Sequence, residues 1–547
     1  MEQLLNLFGF LSVLLRAVTL ATQTLAVGGV VFMLVVARPL HLTEDQSVNA
    51  MQRSWKRLVA LSALGLAAAQ VISLSINSAV LMATADLSLG EVVGASFFLA
   101  GAVSVMASVS LALVARDSIH LEWHWALALA VVIIAASVMT SHAVSRTEDQ
   151  APLAAATALH QAATAAWVGG LPYLLLGLRR RRDEGVSEAI TRRFSRLAMV
   201  AVAVLATAGL VLSLFYIDSP AAVYGTAYGL MVSAKVILFG VLLLLGALNF
   251  RMVRQSRVAT MLFERLRCLA EAEVGIGFTV ILAAASLTSV PPAVDLQAER
   301  LNVIEIGDRM SPRWPRLNSP RADELSEPTQ QTLKKAQAAG APLPQSFLPG
   351  GTATHPNTPA DIAWSEYNHH WAGLMVFAIG LLALCWRTGR APWARHWPLI
   401  FVALAGFILL RADPENWPLG PNGFWESFAD SEVLQHRAYA VLIVAFGLFE
   451  WMVRTDRLRS ARAALVFPLI CAVGGALLLT HSHSLGNVKE ELLAEFSHVP
   501  LALAGVGAGW SRWLELRLPP AERRVPSWIW PSCFVLIGVL LLFYREA

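Results

Sequence analysis

The chain has 547 residues, of which 56% are hydrophobic and 15% are charged, and its mean hydropathy is +0.57. A water-soluble protein of this length would need far more polar surface, so the composition excludes that class and predicts a polytopic membrane protein. The formal net charge of +4 is small. Because the basic residues cluster in particular loops, they favour a role in membrane topology over nucleic-acid binding.

Apolar runs of membrane-spanning length recur along the whole chain. We count about fourteen, roughly eight before a polar gap rich in Pro, Ala, Ser and Thr and roughly six after it. The predicted fold is therefore an all-α polytopic membrane protein with an eight-span and a six-span half. Three parts are expected: an eight-helix membrane domain at residues 1–293, an external linker or small lobe at 294–361, and a six-helix membrane domain at 362–547.

The loops between these runs alternate in charge. Every second loop is basic and contains residues such as Arg179–Arg182 and Arg251. The loops between them carry acidic residues such as Asp86, Glu148 and Asp218. Cytoplasmic loops of membrane proteins carry an excess of Lys and Arg. The alternation therefore predicts that both termini and the polar gap lie on the non-cytoplasmic side.

A histidine-bearing hairpin joins the fourth and fifth predicted spans. The fourth span ends at His142, and the fifth contains His160, with Trp167 two helical turns further on the same face. A glycine pair follows Trp167 and would let neighbouring backbones approach closely. We predict that His142 and His160 converge on a metal ion at the external mouth of the first bundle. Met139 is a candidate third ligand, and Trp167 is expected to pack beneath the site.

Two charged residues lie within later spans of the first half. Lys235 belongs to the seventh predicted span and Glu273 to the eighth. Charge inside a membrane is costly and commonly marks a transport pathway. A pathway role for Lys235 and Glu273 and a purely structural role are equally compatible with the sequence.

Histidines also gather at the external ends of spans in the second half. A hairpin with two histidines before it and one after it resembles the first hairpin in spacing, which suggests a duplicated site. The predicted second set of metal ligands is His370, His436, His481, His483 and His498. Imidazole suits Cu, Zn, Fe and Ni, so these residues alone leave the metal open, and any single one could be structural.

Several activities lack their sequence motifs. The chain contains no GxxxxGK[ST] phosphate loop, no DKTG phosphorylation motif, no HExxH zinc-protease motif and no CxxC pair. We therefore expect a transporter rather than an enzyme or an ATP-driven pump. A b-type haem oxidoreductase, with histidines as axial ligands, is the alternative from another class.

Three groups of residues in the first half form an ordered combination: His160 with Trp167-Val168-Gly169-Gly170, Lys235 before Gly246-Ala247-Leu248-Asn249, and a closing span from Glu273 to Pro292. In this combination residues 13–293 resemble the CopD family of bacterial copper-resistance inner-membrane proteins. The resemblance implies copper as the ion, import across the inner membrane, and a periplasmic copper-binding partner. A further alternative is a copper-binding scaffold that docks such a partner.

Overall fold

A computed structural model describes residues 2–40, 46–116, 123–146, 149–178, 184–255, 260–320, 359–413, 416–420, 422–429, 431–480 and 488–546. Within these ranges the regular structure is helical, apart from one isolated bridge between Asn416 and Asn422. Eleven described helices are long and apolar enough to cross a membrane, and two shorter apolar helices add to them. The predicted all-α polytopic membrane fold is confirmed, while the number of about fourteen spans stays a prediction.

The chain forms two compact units. Unit 1 comprises Met1–Arg300 with Thr480–Ser482, and unit 2 comprises Leu301–Leu479 with His483–Ala547. The three-part domain division expected from the sequence stays a prediction.

Unit 1 is built from twelve described α-helices with short π- and 3-10-helical turns between some of them. In chain order they are α1 (Glu2–Phe32), α2 (Gln46–Thr84), α3 (Leu89–Gly94), α4 (Ser96–Val114), α5 (Trp123–Met139), α6 (His142–Ser145), α7 (Gln150–Thr164), α8 (Leu171–Leu178), α9 (Glu184–Tyr216), α10 (Pro220–Tyr224), α11 (Ala227–Gln255) and α12 (Thr260–Leu287). A π-helical turn, Ala165–Gly169, joins α7 to α8 with hardly a break, and another, Met33–Ala37, extends α1.

Helix α1 lies at the centre of unit 1, where it packs against α2, α12 and the π turn. The approach to the π turn is close because glycines face each other. A Cβ on Gly28 would overlap the carbonyl of Ala165, and a Cβ on Gly169 would overlap the carbonyl of Thr24. The expectation that small residues let helices approach closely here is confirmed.

Polar contacts hold one edge of unit 1 together. Arg146 pairs with Asp295 at 3.2 Å, and Arg300 pairs with Asp218 at 2.6 Å. The hydrogen bond from the Arg300 guanidinium holds the pKa of the Asp218 carboxyl below its usual range. These contacts fasten the chain after α12 to the loops that follow α6 and α9.

Unit 2 contains seven described α-helices: α13 (Val303–Met310), α14 (Pro359–Arg387), α15 (Ile400–Arg411), α16 (Ser431–Arg454), α17 (Val466–Leu478), α18 (Val488–Arg517) and α19 (Arg524–Leu542). Helix α14 packs along α19, and α18 packs between α17 and α19. Gly373 and Gly380 of α14 allow the first of these contacts, because a Cβ at either position would overlap the backbone of α19.

Aromatic rings surround a buried cation in unit 2. The Arg454 guanidinium carbon lies 5.1 Å from the Trp530 ring centre and 5.2 Å from that of Trp397. Its Nε donates to Glu450 at 2.6 Å, and both side chains are almost fully buried. A buried charge needs a counter-ion or comparable polarisation, and here a carboxylate and ring faces provide both. Arg454 therefore has a structural role in joining the helix ends.

Candidate metal-binding site

The first predicted ligand, His142, lies at the rim of unit 1. It opens the short helix α6, and its Nε2 donates a hydrogen bond of 3.0 Å to the carbonyl of Thr288, directly after the end of α12. A carbonyl can only accept, so Nε2 carries the proton in this hydrogen bond. Met139, the candidate third ligand, ends α5 with 52% of its surface exposed.

The second predicted ligand, His160, faces helix α9. Its Nδ1 and Cε1 lie 3.5 and 3.4 Å from the position that a Cβ on Gly209 would occupy. The backbone of Leu205, one turn before Gly209 on α9, is a weak hydrogen-bond partner of the ring. The buried Nδ1 has no hydrogen bond of ordinary geometry within the described residues. A buried nitrogen that is held only by a weak hydrogen bond can still bind a ligand.

The two histidines lie at different depths in unit 1. His160 is ten residues after the start of α7, about 15 Å along the helix, and its neighbour Gly209 is about 10 Å before the end of α9. His142 lies at the level of the α12 terminus. Among the described residues no group of three or more His, Cys, Asp or Glu side chains could hold a metal ion. The predicted site shared by His142, His160 and Met139 stays a prediction.

The π turn after His160 holds Trp167 inside unit 1. The indole is 3% exposed and meets the ring of Phe239 edge-on, with ring centres 6.0 Å apart. On the neighbouring side Gln23 of α1 donates to Gln161, the residue after His160, at 2.9 Å. Single π turns within α-helices are frequent at functional sites. Here the turn holds a buried indole one to two helical turns after His160 and Gln161.

Lys235 and Glu273 do not form an ion pair. Lys235 lies eight residues into α11, where its charge is close enough to His160 to repel a protonated imidazole. Glu273, on α12, is 3% exposed and accepts a hydrogen bond from Asn249, about 21 Å further along α11 than Lys235. Asn249 was not among the predicted site residues, although it belongs to the Gly-Ala-Leu-Asn run that carries the resemblance.

The described histidines of unit 2 have protein partners. Buried His370 accepts the Arg316 N–H at Nδ1 (2.7 Å) and donates from Nε2 to the carbonyl of Tyr544 (3.0 Å). A metal ion at His370 would have to displace one of these bonds. His436 is partly exposed, and its Nδ1 lies 2.7 Å from Asp413, the arrangement by which a carboxylate orients an imidazole.

Three predicted ligands of the second site remain. His498 is half-buried on α18, one turn after buried Glu495. His481 and His483 lie outside the described residues. The predicted second site stays a prediction.

Residues 188–287 match the family model described as Copper resistance protein D (CopD). The predicted resemblance to CopD is confirmed. This CopD segment begins within α9 and ends with α12, so it contains Gly209, Lys235, Asn249 and Glu273. Most of the neighbours of His160 that have been described thus belong to the segment that matches the family.

The chain is also similar to "Copper transport protein CutJ" of Bacillus subtilis (strain 168). The two are 37% identical over 136 residues, which is 24% of this chain and 24% of that protein. The matched region is therefore well under two thirds of the length of this curated relative. No solved structure matches the chain.

Proposed function

We propose that the protein transports copper across the bacterial inner membrane, in the direction of import. The observation that carries this proposal is that the CopD segment supplies the surroundings of His160, whose buried Nδ1 has no hydrogen bond of ordinary geometry within the described residues. Copper binds well to imidazole nitrogen. The similarity to a protein named for copper transport supports the same ion.

The polar side chains of unit 1 suggest an order for the transport steps. Copper first meets His142 at the rim, with Met139 nearby, and then His160 about three helical turns along α7. Beyond Trp167 the Asn249–Glu273 pair offers oxygen atoms at a greater depth. Lys235 would oppose a cation beside His160 unless its amine is neutral, so it acts as a gate on this pathway.

The charges of the loops bear on how the protein is oriented in the membrane and on where a partner would bind. The alternation of basic and acidic loops supports periplasmic termini and a periplasmic position for His142. A soluble copper-binding protein in the periplasm would then deliver the ion to the rim of unit 1. In the second half of the chain, a second set of candidate ligands lies on the same predicted side: His370, His436 with Asp413, His481, His483 and His498.

Copper content and copper uptake test this proposal. Purified protein in proteoliposomes is compared for the native chain, His142→Ala, His160→Ala and the double variant, with bound copper measured by mass spectrometry. His124→Ala is the matched control, because His124 is an exposed histidine at the start of α5 in the same unit. We expect the control to keep its copper and its uptake, whereas His160→Ala loses both.

Two results would contradict the proposal. Unchanged copper stoichiometry in the double variant would rule out the histidine pathway. A strong absorption band in the Soret region of the purified protein would instead favour haem binding.

A further inference from the structure

A short amphipathic helix precedes the long membrane-spanning helices of unit 2. Helix α13 begins with a capping box in which Asn302 and Glu305 exchange hydrogen bonds of 2.9 and 3.1 Å. Glu305 also pairs with Lys489, in the first turn of α18, at 3.6 Å. Because these contacts satisfy its first turn and attach it to α18, α13 is held as a defined helix although it has only eight residues.

The chain after α13 follows the flank of α14. The Arg316 N–H donates to His370, and the Trp371 indole donates to the carbonyl of Leu317 at 3.0 Å. His370 is about 12 Å inside the candidate membrane span Ile362–Arg387. That span is longer than the roughly 30 Å of a bilayer core. The chain after α13 therefore lies beside the first third of this span, while α13 itself is attached to the start of α18, before the candidate span Leu492–Arg517.

The side of this segment that faces away from the protein is apolar. Val303, Ile304 and Trp314 are 61%, 75% and 93% exposed. At 100° per residue, Val303 lies about 120–160° around α13 from Glu305, Asp308 and Arg309, whereas Ile304 lies at the edge of the apolar arc, about 40° from Asp308. Exposed β-branched residues and tryptophan next to a membrane span are typical of helices that lie in the lipid interface.

Basic residues accompany this apolar face. Arg309 and Arg313 flank the turn that leads to Trp314, and both are exposed. We propose that α13 and Trp314 form a lipid-binding surface, with Val303, Ile304 and Trp314 among the acyl chains and Arg309 and Arg313 on anionic phospholipid headgroups. This surface would hold the start of unit 2 against the bilayer, independently of the proposed copper transport.

Quenching of site-specific fluorophores tests this surface. Val303→Cys, Trp314→Cys and, as the polar-face control, Asp308→Cys are labelled with an environment-sensitive dye in full-length protein. The background lacks the partly or fully exposed thiols Cys385, Cys471 and Cys533. In nanodiscs containing phosphatidylglycerol, nitroxide-labelled lipid should quench the dye at 303 and 314 more strongly than at 308. Water-soluble iodide should give the opposite order.

A second experiment tests whether binding depends on the negative charge of the headgroup. Replacing phosphatidylglycerol by phosphatidylcholine, or introducing Arg309→Gln with Arg313→Gln, should reduce lipid quenching at 314. Equal access of iodide to 303 and 308 would overturn the proposal. So would protection from both quenchers at 303, since protein would then cover the face.

Discussion

His160 is the histidine of unit 1 on which the proposed copper site depends. Its buried Nδ1 lies beside Gly209, which belongs to the CopD segment. Gly209 has no side chain, and a methyl group at this position would already reach van der Waals contact with the imidazole ring. A larger side chain would have to displace the ring. The geometry predicts that the size of the residue at 209 controls copper binding.

We expect Gly209→Leu to lose copper as completely as His160→Ala does, because the larger side chain must displace the imidazole. Gly209→Ala should keep its copper, since its Cβ would sit at ordinary contact distance, 3.4 Å from Cε1 and 3.5 Å from Nδ1. Circular dichroism first shows that both variants are folded. Bound copper per protein is then measured in each. Equal copper content in the Leu variant and the native chain would contradict it.

His370 serves a different purpose, because both of its ring nitrogens are engaged by backbone groups. It joins the chain at Arg316 and the C-terminal Tyr544 to α14, while Glu366, one turn earlier, pairs with Arg545 at 3.2 Å. The acid one turn before this histidine thus pairs with arginine instead of orienting the imidazole. His370 is therefore expected to contribute to stability.

His370→Ala should lower the free energy of unfolding in detergent by about 1–3 kcal/mol, since it leaves a buried carbonyl and an N–H without partners. Its copper content should not change. His436→Ala is the comparison, because His436 is only partly buried and its partner Asp413 is a side chain. Loss of copper in His370→Ala without loss of stability would restore His370 as a metal ligand.

At the scale of elements, the contact between α1 and the π turn after α7 determines where Trp167 and His160 lie. Glycine is required on both sides, at Gly28 and Gly169, because the backbones touch. Other helical glycines of unit 1, such as Gly240 in α11, have nothing within 4 Å of an added Cβ. The two kinds of glycine should respond oppositely to the same substitution.

Gly169→Ala should destabilise the protein by about 1–3 kcal/mol, because the new methyl group must push the carbonyl of Thr24 away. Gly240→Ala should be neutral or stabilising by up to about 1 kcal/mol, since alanine has the higher helix propensity. Thermal unfolding of both variants in the same detergent gives the comparison. A Gly169→Ala variant as stable as Gly240→Ala would show that α1 does not approach the π turn closely.

At the scale of the whole molecule, orientation in the membrane decides whether His142 meets the periplasm. The alternating loops predict that both termini are periplasmic. A phosphatase reporter, active only outside the cytoplasm, fused after Ala547 should therefore be active. The same reporter fused within the basic loop at Arg179–Arg182 should be inactive. The reverse pattern would place His142 at the cytoplasmic face and require export in place of import.

Hydropathy and local spacing in the sequence determined much of the architecture. A membrane span must satisfy its own backbone hydrogen bonds, so a long apolar run can only be a helix. Hydropathy and residue spacing over short stretches of sequence predict the helical class and the hairpin at His142 and His160. They also predict the glycines for close packing after Trp167. The likeness of the CopD segment also lies in the linear order of residues.

Only the tertiary structure decided which polar groups meet. Spacing along one helix places Lys235 and Glu273 in adjacent spans but does not reveal that Glu273 bonds Asn249, or that Gly209 faces His160. It also gives no sign that backbone groups distant in the chain occupy both nitrogens of His370. These contacts depend on the rotation and relative depth of separate helices, which are set by side-chain packing between them and not by the residues nearby in sequence.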